Sequence, residues 1–325
     1  MCANCRQVLP LIVFLERPAA WRCVPVGRAR ECLVRCAPTL GACEVAGDSA
    51  PLDADGPLAG GQMQTNQPTQ TQGTRTQNAF AFEDTNIQTS AERAWNMAPV
   101  KLHYFKGRGR SQQSRWMLAA SSIVFTNVCL STREEFVALC KSGKLTYQQV
   151  PMLEDGECCI SQSMAIVRHA ARAGALYGTT ADEAARVDEV LDGISDARGP
   201  IVSYPFMDAA EACGRLQQSI ERFFPCFERA IERNGAPPFA VGASLTAADV
   251  LLAELVDSTI EALSATFAPS AADAALGPYP KLRALHSHVL GLPQIQAFRA
   301  STNWMPFPEG QVGRDYVQNV RTVLS

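Results

Sequence analysis

The stretch Val100-Lys-Leu-His-Tyr-Phe-Lys-Gly-Arg-Gly-Arg110 decides the fold. Val100, Leu102 and Tyr104 alternate with Lys101 and His103, the period of two of a half-buried strand. Gly107 and Gly109 then break the chain, and Ser111 to Ser122 reads as a helix. Outward from there the pattern repeats. Ile123 to Leu130 reads as a second strand, and Thr132 to Ser142 as a second helix with Phe136 and Leu139 on one face. Met152 to Glu154, the turn Asp155-Gly156, and Glu157 to Ile160 read as a hairpin. Ser163 to Gly174 reads as a helix, with Gly174 placed to cap it. The order is βαβαββα, with Pro151 just before the third strand.

Two other chemistries fail on this stretch. A dinucleotide fingerprint requires a third glycine at 112, where this chain has Gln112, and a lone GxG is weak. A dithiol oxidoreductase requires CxxC after the first strand, and no cysteine lies between Val100 and Asn127.

Beyond Gly178 every periodic segment is helical. Val187, Val190, Leu191 and Ile194 recur at helical spacing, as do Leu216, Ile220, Phe223 and Phe227. Leu245-Thr-Ala-Ala-Asp249-Val250 is a helix start: Thr246 caps, Asp249 bonds back, and Leu245 packs on Val250. The expected fold is therefore a small α/β domain followed by an all-α domain.

The totals agree. The chain has 325 residues, 47% of them apolar, and a formal net charge of -3. That suits a core-forming protein of two domains and offers no global attraction to nucleic acid or an anionic membrane. No apolar run reaches the roughly 18 residues of a membrane span. Of twelve cysteines, six lie at or before Cys43 and six between Cys129 and Cys226; the second group has no pairing rhythm and is read as free thiols in a reducing compartment. Cys2 with Cys5 and Cys32 with Cys36 fit no standard zinc spacing, since the histidines lie far downstream; no metal is expected.

The first 97 residues read as a low-complexity extension. Arginines crowd residues 1 to 45, and a Gln/Thr run spans Gln62 to Gln77. Such composition buries no core. The arginines suit an organelle-import segment better than a secretory signal; an extension without function, or a chain start at Met97, is the alternative.

Several motifs together resemble the cytosolic glutathione transferases, the alpha class above all. They are Lys101 to Arg110 with Arg115-Trp116; Gln148-Gln149-Val150-Pro151-Met152; Asp155-Gly156; Gln162-Ser163-Met-Ala-Ile166; Leu176-Tyr177-Gly178; Arg222-Phe-Phe-Pro225-Cys-Phe-Glu228; and Val241 to Asp249. The resemblance runs from about Val100 to the C-terminus. It implies a thioredoxin-like glutathione-binding domain over residues 98–178 and an all-helical substrate-binding domain over 179–325. It implies a cytoplasmic homodimeric enzyme of xenobiotic detoxification that adds glutathione, its co-substrate, to hydrophobic electrophiles. A glutathione-dependent isomerase or peroxidase, or a non-catalytic relative, is the alternative.

The resemblance also assigns residues. Tyr104 and Arg110 activate the thiol. Gln149, Val150 and Pro151 receive the cysteinyl backbone, with Val150-Pro151 cis. Gln162 and Ser163 meet the γ-glutamyl carboxylate at a helix N-terminus. Asp196 and Arg222 serve the γ-glutamyl ammonium of the neighbouring subunit, and Tyr147 inserts into that subunit near Phe227. Cys140 stands where the family places an arginine for the glycyl carboxylate; Lys141 or Lys144 is left to substitute. Arg314 to Leu324 forms a final helix, a lid or a docked terminus.

The physics behind the first assignment is simple. A thiol with pKa near 8.5 is mostly protonated at neutral pH, and moving it down by two units takes about 2.7 kcal/mol of preference for the anion. A phenol donor, a cation and a helix N-terminus are the means at hand.

Overall fold

The computed structural model describes residues 100–325. The expectations for the N-terminal extension, its cysteine pairs and its import segment lie outside the described residues. Four strands, β1 (Val100–Phe105), β2 (Phe125–Leu130), β3 (Met152–Asp155) and β4 (Cys158–Ser161), form one sheet in the order β2-β1-β3-β4. β1 and β2 run parallel, as α1 (Gln112–Ala120) crosses between them. β3 returns antiparallel to β1, and β4 antiparallel to β3. Their two-residue turn puts Gly156 at φ +60°, the left-handed value a tight hairpin requires. α2 (Arg133–Lys141) and α3 (Ser163–Ala173) complete the βαβαββα unit.

Helix ends follow local chemistry. Thr132 and Glu135 make a full capping box at α2. α1 starts one residue later than its sequence pattern suggests, because Gly109–Ser111 forms a 3-10 turn first. β2 begins at Phe125, not Ile123: Ser122 takes φ +56° and the Ile123 N–H bonds back to the Leu118 carbonyl. Gly174 sits at φ -88°, and Ala175 takes the left-handed position at +55°. Gly174 is needed for another reason. A Cβ there would overlap Ser121, whose hydroxyl ties α1 to α3 by donating to the Ala170 carbonyl at 2.9 Å.

The rest is helical: α4 (Ala181–Ala197), α5 (Gly199–Ser203), α6 (Ala209–Asn234), α7 (Ala247–Thr266), α8 (Pro269–Leu276), α9 (Pro280–Leu290), α10 (Pro293–Arg299) and α11 (Gly310–Leu324). α8, α9 and α10 each start with proline, whose missing N–H costs nothing at a first helical position. Val187, Val190, Leu191 and Ile194 bury the face of α4 that their spacing marks out. On α6, Phe224 is buried where the spacing favoured Phe223, which stays partly exposed. α7 is apolar nearly all round and lies in the centre. Its first turn is fixed by buried Asp249, which accepts from the N–H groups of Ala240 and Thr246, both at 2.7 Å, and from the Thr246 hydroxyl at 2.8 Å.

Two apolar clusters result. The large one joins Leu102, Phe125 and Leu153 of the sheet through α1 and α3 to α4, α6, α7, α9 and α10. The small one gathers Tyr104, Phe105, Leu130, Phe136, Leu145 and Met152 under Tyr316, Val320 and Val323 of α11.

Candidate active site

Strand register brings the sequence-nominated residues to one end of the sheet. His103 of β1 pairs with Met152, and Met152 with Ser161 of β4. One step beyond these pairs stand Tyr104 near the end of β1, Pro151 just before β3 and Gln162 just after β4. The Val150-Pro151 peptide is cis.

Tyr104 is buried, and its hydroxyl accepts the backbone N–H of Arg110 at 3.0 Å. That donor fixes the phenol oxygen and draws charge from it, so its proton is the better donor to a third group. The Arg110 side chain is exposed; its backbone, not its guanidinium, touches the phenol. The Tyr104 hydroxyl also meets the Tyr316 hydroxyl of α11 at 3.4 Å.

The cation buried against this corner is Arg115. It is fully buried on α1, with its Nε on Asn127 Oδ1 at 2.8 Å and its Nη1 on the Gly107 carbonyl at 3.0 Å. Burial pushes it down to about 10, with the Cys129 thiol and the two phenols pulling the other way. It remains charged at neutral pH and faces no carboxylate among the described residues it touches. Arg108 locks the same loop to the helical part, through an ion pair with Glu261 of α7 and an Nε bond to the Met305 carbonyl at 2.7 Å. The sequence offered one signal for these contacts, the two glycines flanking Arg108. Both make room for phenols: a Cβ at Gly107 would overlap the Tyr316 ring, and one at Gly109 would overlap both hydroxyls.

At the other side of the sheet end, the Gln162 amide donates to the Gln149 side-chain oxygen at 3.3 Å. Gln162 holds φ +76°, and no side chain caps the N-terminus of α3, which starts at Ser163. Free N–H groups at a helix start attract an anion. A non-glycine residue in a sparsely populated conformation at the same point is a mark of function.

Cys140 is half-buried against the small cluster and is not in a disulfide. Of the two lysines that could replace an arginine there, Lys144 is drawn to Glu154 at 3.0 Å. Lys141 closes α2, exposed and without an ion pair among the described residues. Burial pushes His103 down, against the pull of its Glu154 partner at 3.1 Å.

Asp196 and Arg222 lie exposed on α4 and α6, the Arg222 guanidinium stacked 4.8 Å from the Phe223 ring. Tyr147 is 61% exposed, not folded back on its own chain. α11 docks firmly: Asn319 accepts from the Lys106 N–H at 2.8 Å and donates to the Leu130 carbonyl at 2.9 Å. Among the described residues no cluster of His, Cys, Asp or Glu is arranged to hold a metal ion, and no helix is long and apolar enough to cross a membrane.

Residues 100–172 match the family model of the glutathione S-transferase N-terminal domain, and residues 195–302 that of the C-terminal domain. Glutathione S-transferase 3 of Gallus gallus is 33% identical over 228 residues, 69% of this chain and 93% of its own length. Glutathione S-transferase A4 of Mus musculus is 34% identical over 232 residues, 70% of this chain and 98% of its own. The solved structure of NaGST-2 superposes with a TM-score of 0.53 at 25% identity, over 63% of this chain and 97% of that one.

Proposed function

The chain belongs to the glutathione S-transferase family and is a glutathione transferase, and on that premise we propose how its own residues perform the reaction. Tyr104 donates its hydroxyl proton to the glutathione sulfur and stabilises the thiolate, which attacks a hydrophobic electrophile. The observation that carries this is the Arg110 N–H on the Tyr104 oxygen at 3.0 Å. It leaves the phenol proton for a further acceptor, and buried Arg115 adds positive potential nearby. Donor and cation together are of the scale needed to favour the anion by about 2.7 kcal/mol.

The remaining assignments follow the same end of the sheet. The backbone of Val150 before Pro151 pairs with the cysteinyl unit as an added strand, beside the Gln149 side chain. Gln162 and the free N–H groups at Ser163 take the γ-glutamyl carboxylate. Lys141 takes the glycyl carboxylate, since Lys144 is held by Glu154. Residues 98–178 bind glutathione and 179–325 bind the electrophile. Exposed Tyr147 is the anchor of a homodimer, a large aromatic suited to a buried interface, in which Asp196 and Arg222 serve the partner's γ-glutamyl ammonium. The setting we infer is detoxification in the cytoplasm. Tyr104, Arg110, Gln162 and Ser163 are all present in the chain, which favours a catalyst over a non-catalytic relative.

The test is retention of the full chain on immobilised glutathione, followed by turnover of an aryl halide. Tyr104→Phe is expected to raise the pKa of the bound thiol and to lower kcat tenfold or more, about 1.4 kcal/mol. An unchanged kcat near neutral pH would remove Tyr104 from this role.

A further inference from the structure

We propose that Tyr316 is a second catalytic hydroxyl, donating with Tyr104 to the same glutathione sulfur, so that two phenols hold the thiolate. The proposal rests on the reading of Tyr104 above and adds a residue to it.

Three features of the corner carry it. The first is proton counting. Tyr104 and Tyr316 bring two hydroxyl protons, and the Tyr104 oxygen already accepts from Arg110. The single contact between the two oxygens, 3.4 Å, uses one proton, whichever hydroxyl donates. The other has no acceptor among the described residues. That contact is also long beside an ordinary O–H···O bond of about 2.7–2.8 Å: the two groups are adjacent but weakly engaged. Two oxygens 3.4 Å apart leave positions for a sulfur within hydrogen-bond reach of both, and a thiolate accepts several donors at once.

The second is that the ring is held where it is. It lies on the backbone of the Gly107–Gly109 loop, where no side chain fits beneath it. Phe206 meets its edge at 5.7 Å between centroids. One turn away, Asn319 grips the Lys106 N–H and the Leu130 carbonyl, and the Arg133 guanidinium donates to the Val323 carbonyl at 3.4 Å. α11 is therefore tied at the sheet end by contacts to the residue after β1, to β2 and to α2.

The third is protonation. The charged and titratable groups facing Tyr316 are Tyr104 of β1, Arg115 of α1 and Arg110 of the turn between them. Burial pushes the Tyr316 phenol far up and the Tyr104 phenol adds to that, outweighing both arginines. Tyr316 keeps its proton throughout the range in which glutathione ionises, and so stays a donor.

The experiment titrates the thiolate absorbance of glutathione bound to the full chain against pH, for the native protein, Tyr104→Phe, Tyr316→Phe and the double variant. Replacement by Phe keeps the ring and its packing. Tyr316→Phe is expected to raise the bound thiol pKa by about one unit, the scale of one hydrogen bond to a charged acceptor. The double variant should exceed either single one. The rate loss in Tyr316→Phe should vanish above the shifted pKa, where glutathione is already ionised. An unchanged thiol pKa in Tyr316→Phe, with a raised one in Tyr104→Phe, overturns this proposal alone. The same holds if glutathione binds more tightly with its pKa unmoved, since Tyr316 is then an obstruction. An unmoved pKa in Tyr104→Phe instead overturns the reading of Tyr104, and the two-donor proposal with it.

Discussion

The two apolar clusters divide the labour of the molecule. The large one packs aliphatic and aromatic side chains around α7, from Leu102, Trp116 and Leu153 to Phe224, Val289 and Phe298. The small one is built from β1, β2, α2, the loop before β3, Met152 of β3, and α11, and it contains the phenols of Tyr104 and Tyr316. Burial of the first holds the fold together. The second is thin, drawn from segments distant in sequence, and completed by one helix. Local openings start where buried apolar contacts are fewest, so the small cluster is expected to open before the large one.

That contrast can be broken. Leu252→Ala empties a fully buried position of α7 and is expected to cost about 3 kcal/mol in denaturant unfolding. The bound thiol pKa should stay where it was; a shift would mean that the clusters are not separable. Asp249→Asn comes next, at about 2 kcal/mol, because an amide cannot accept from both the Ala240 and Thr246 N–H groups. This gap depends on pH. Burial pushes the Asp249 carboxyl up to about 6, against its own donors. The unfolded chain ionises first, so the native protein loses stability as pH rises between the two pKa values. The gap to Asp249→Asn should narrow from about pH 4 to about pH 7, and a widening gap would reverse the sign assigned here.

In the small cluster, Val323→Ala removes buried methyls beneath α11 and should cost about 1.5 kcal/mol. Unlike Leu252→Ala, it should lower turnover in the folded protein, by loosening the helix that carries Tyr316. The smallest effect concerns the two lysines. Lys144→Ala breaks a surface pair with Glu154 and should leave both the unfolding midpoint and the KM for glutathione unchanged. Lys141→Ala should leave the midpoint alone and raise that KM. The reverse pattern would hand the glycyl carboxylate to Lys144.

The fold was legible because its signals are local. Alternation over Val100 to Tyr104, the breaks at Gly107 and Gly156, and the start at Thr246 each act within a few residues. The errors were local too: the 3-10 turn at Gly109–Ser111 and the left-handed Ser122 shift element ends without altering their order. At the site, Tyr104, Pro151 and Gln162 were each named from local motifs, while the register that lines them up comes from the sheet pairing. What sequence did not convey depends on distant pairing. Arg115 reads as one charged residue on a helix, yet it is fully buried against a loop and β2. Tyr316 reads as part of an apolar helical stripe, and nothing near it in sequence points to a phenol on β1. Arg110 was expected to act through its charge, but the contact it makes is through its backbone.

Gly107 and Gly109 look like one motif but answer to different neighbours. Gly109 is hemmed in by both hydroxyls, whereas the ring of Tyr316 alone fills the space above Gly107. The order in which mutations arrive therefore matters. A chain that first shrinks residue 316 is then free to gain a side chain at 107. A chain that fills 107 first passes through a steric overlap at its own active site. Descent through the first order is open and through the second is closed, so a side chain gained at 107 acts as a ratchet: once Tyr316 has been lost and 107 filled, a tyrosine at 316 has no room to return.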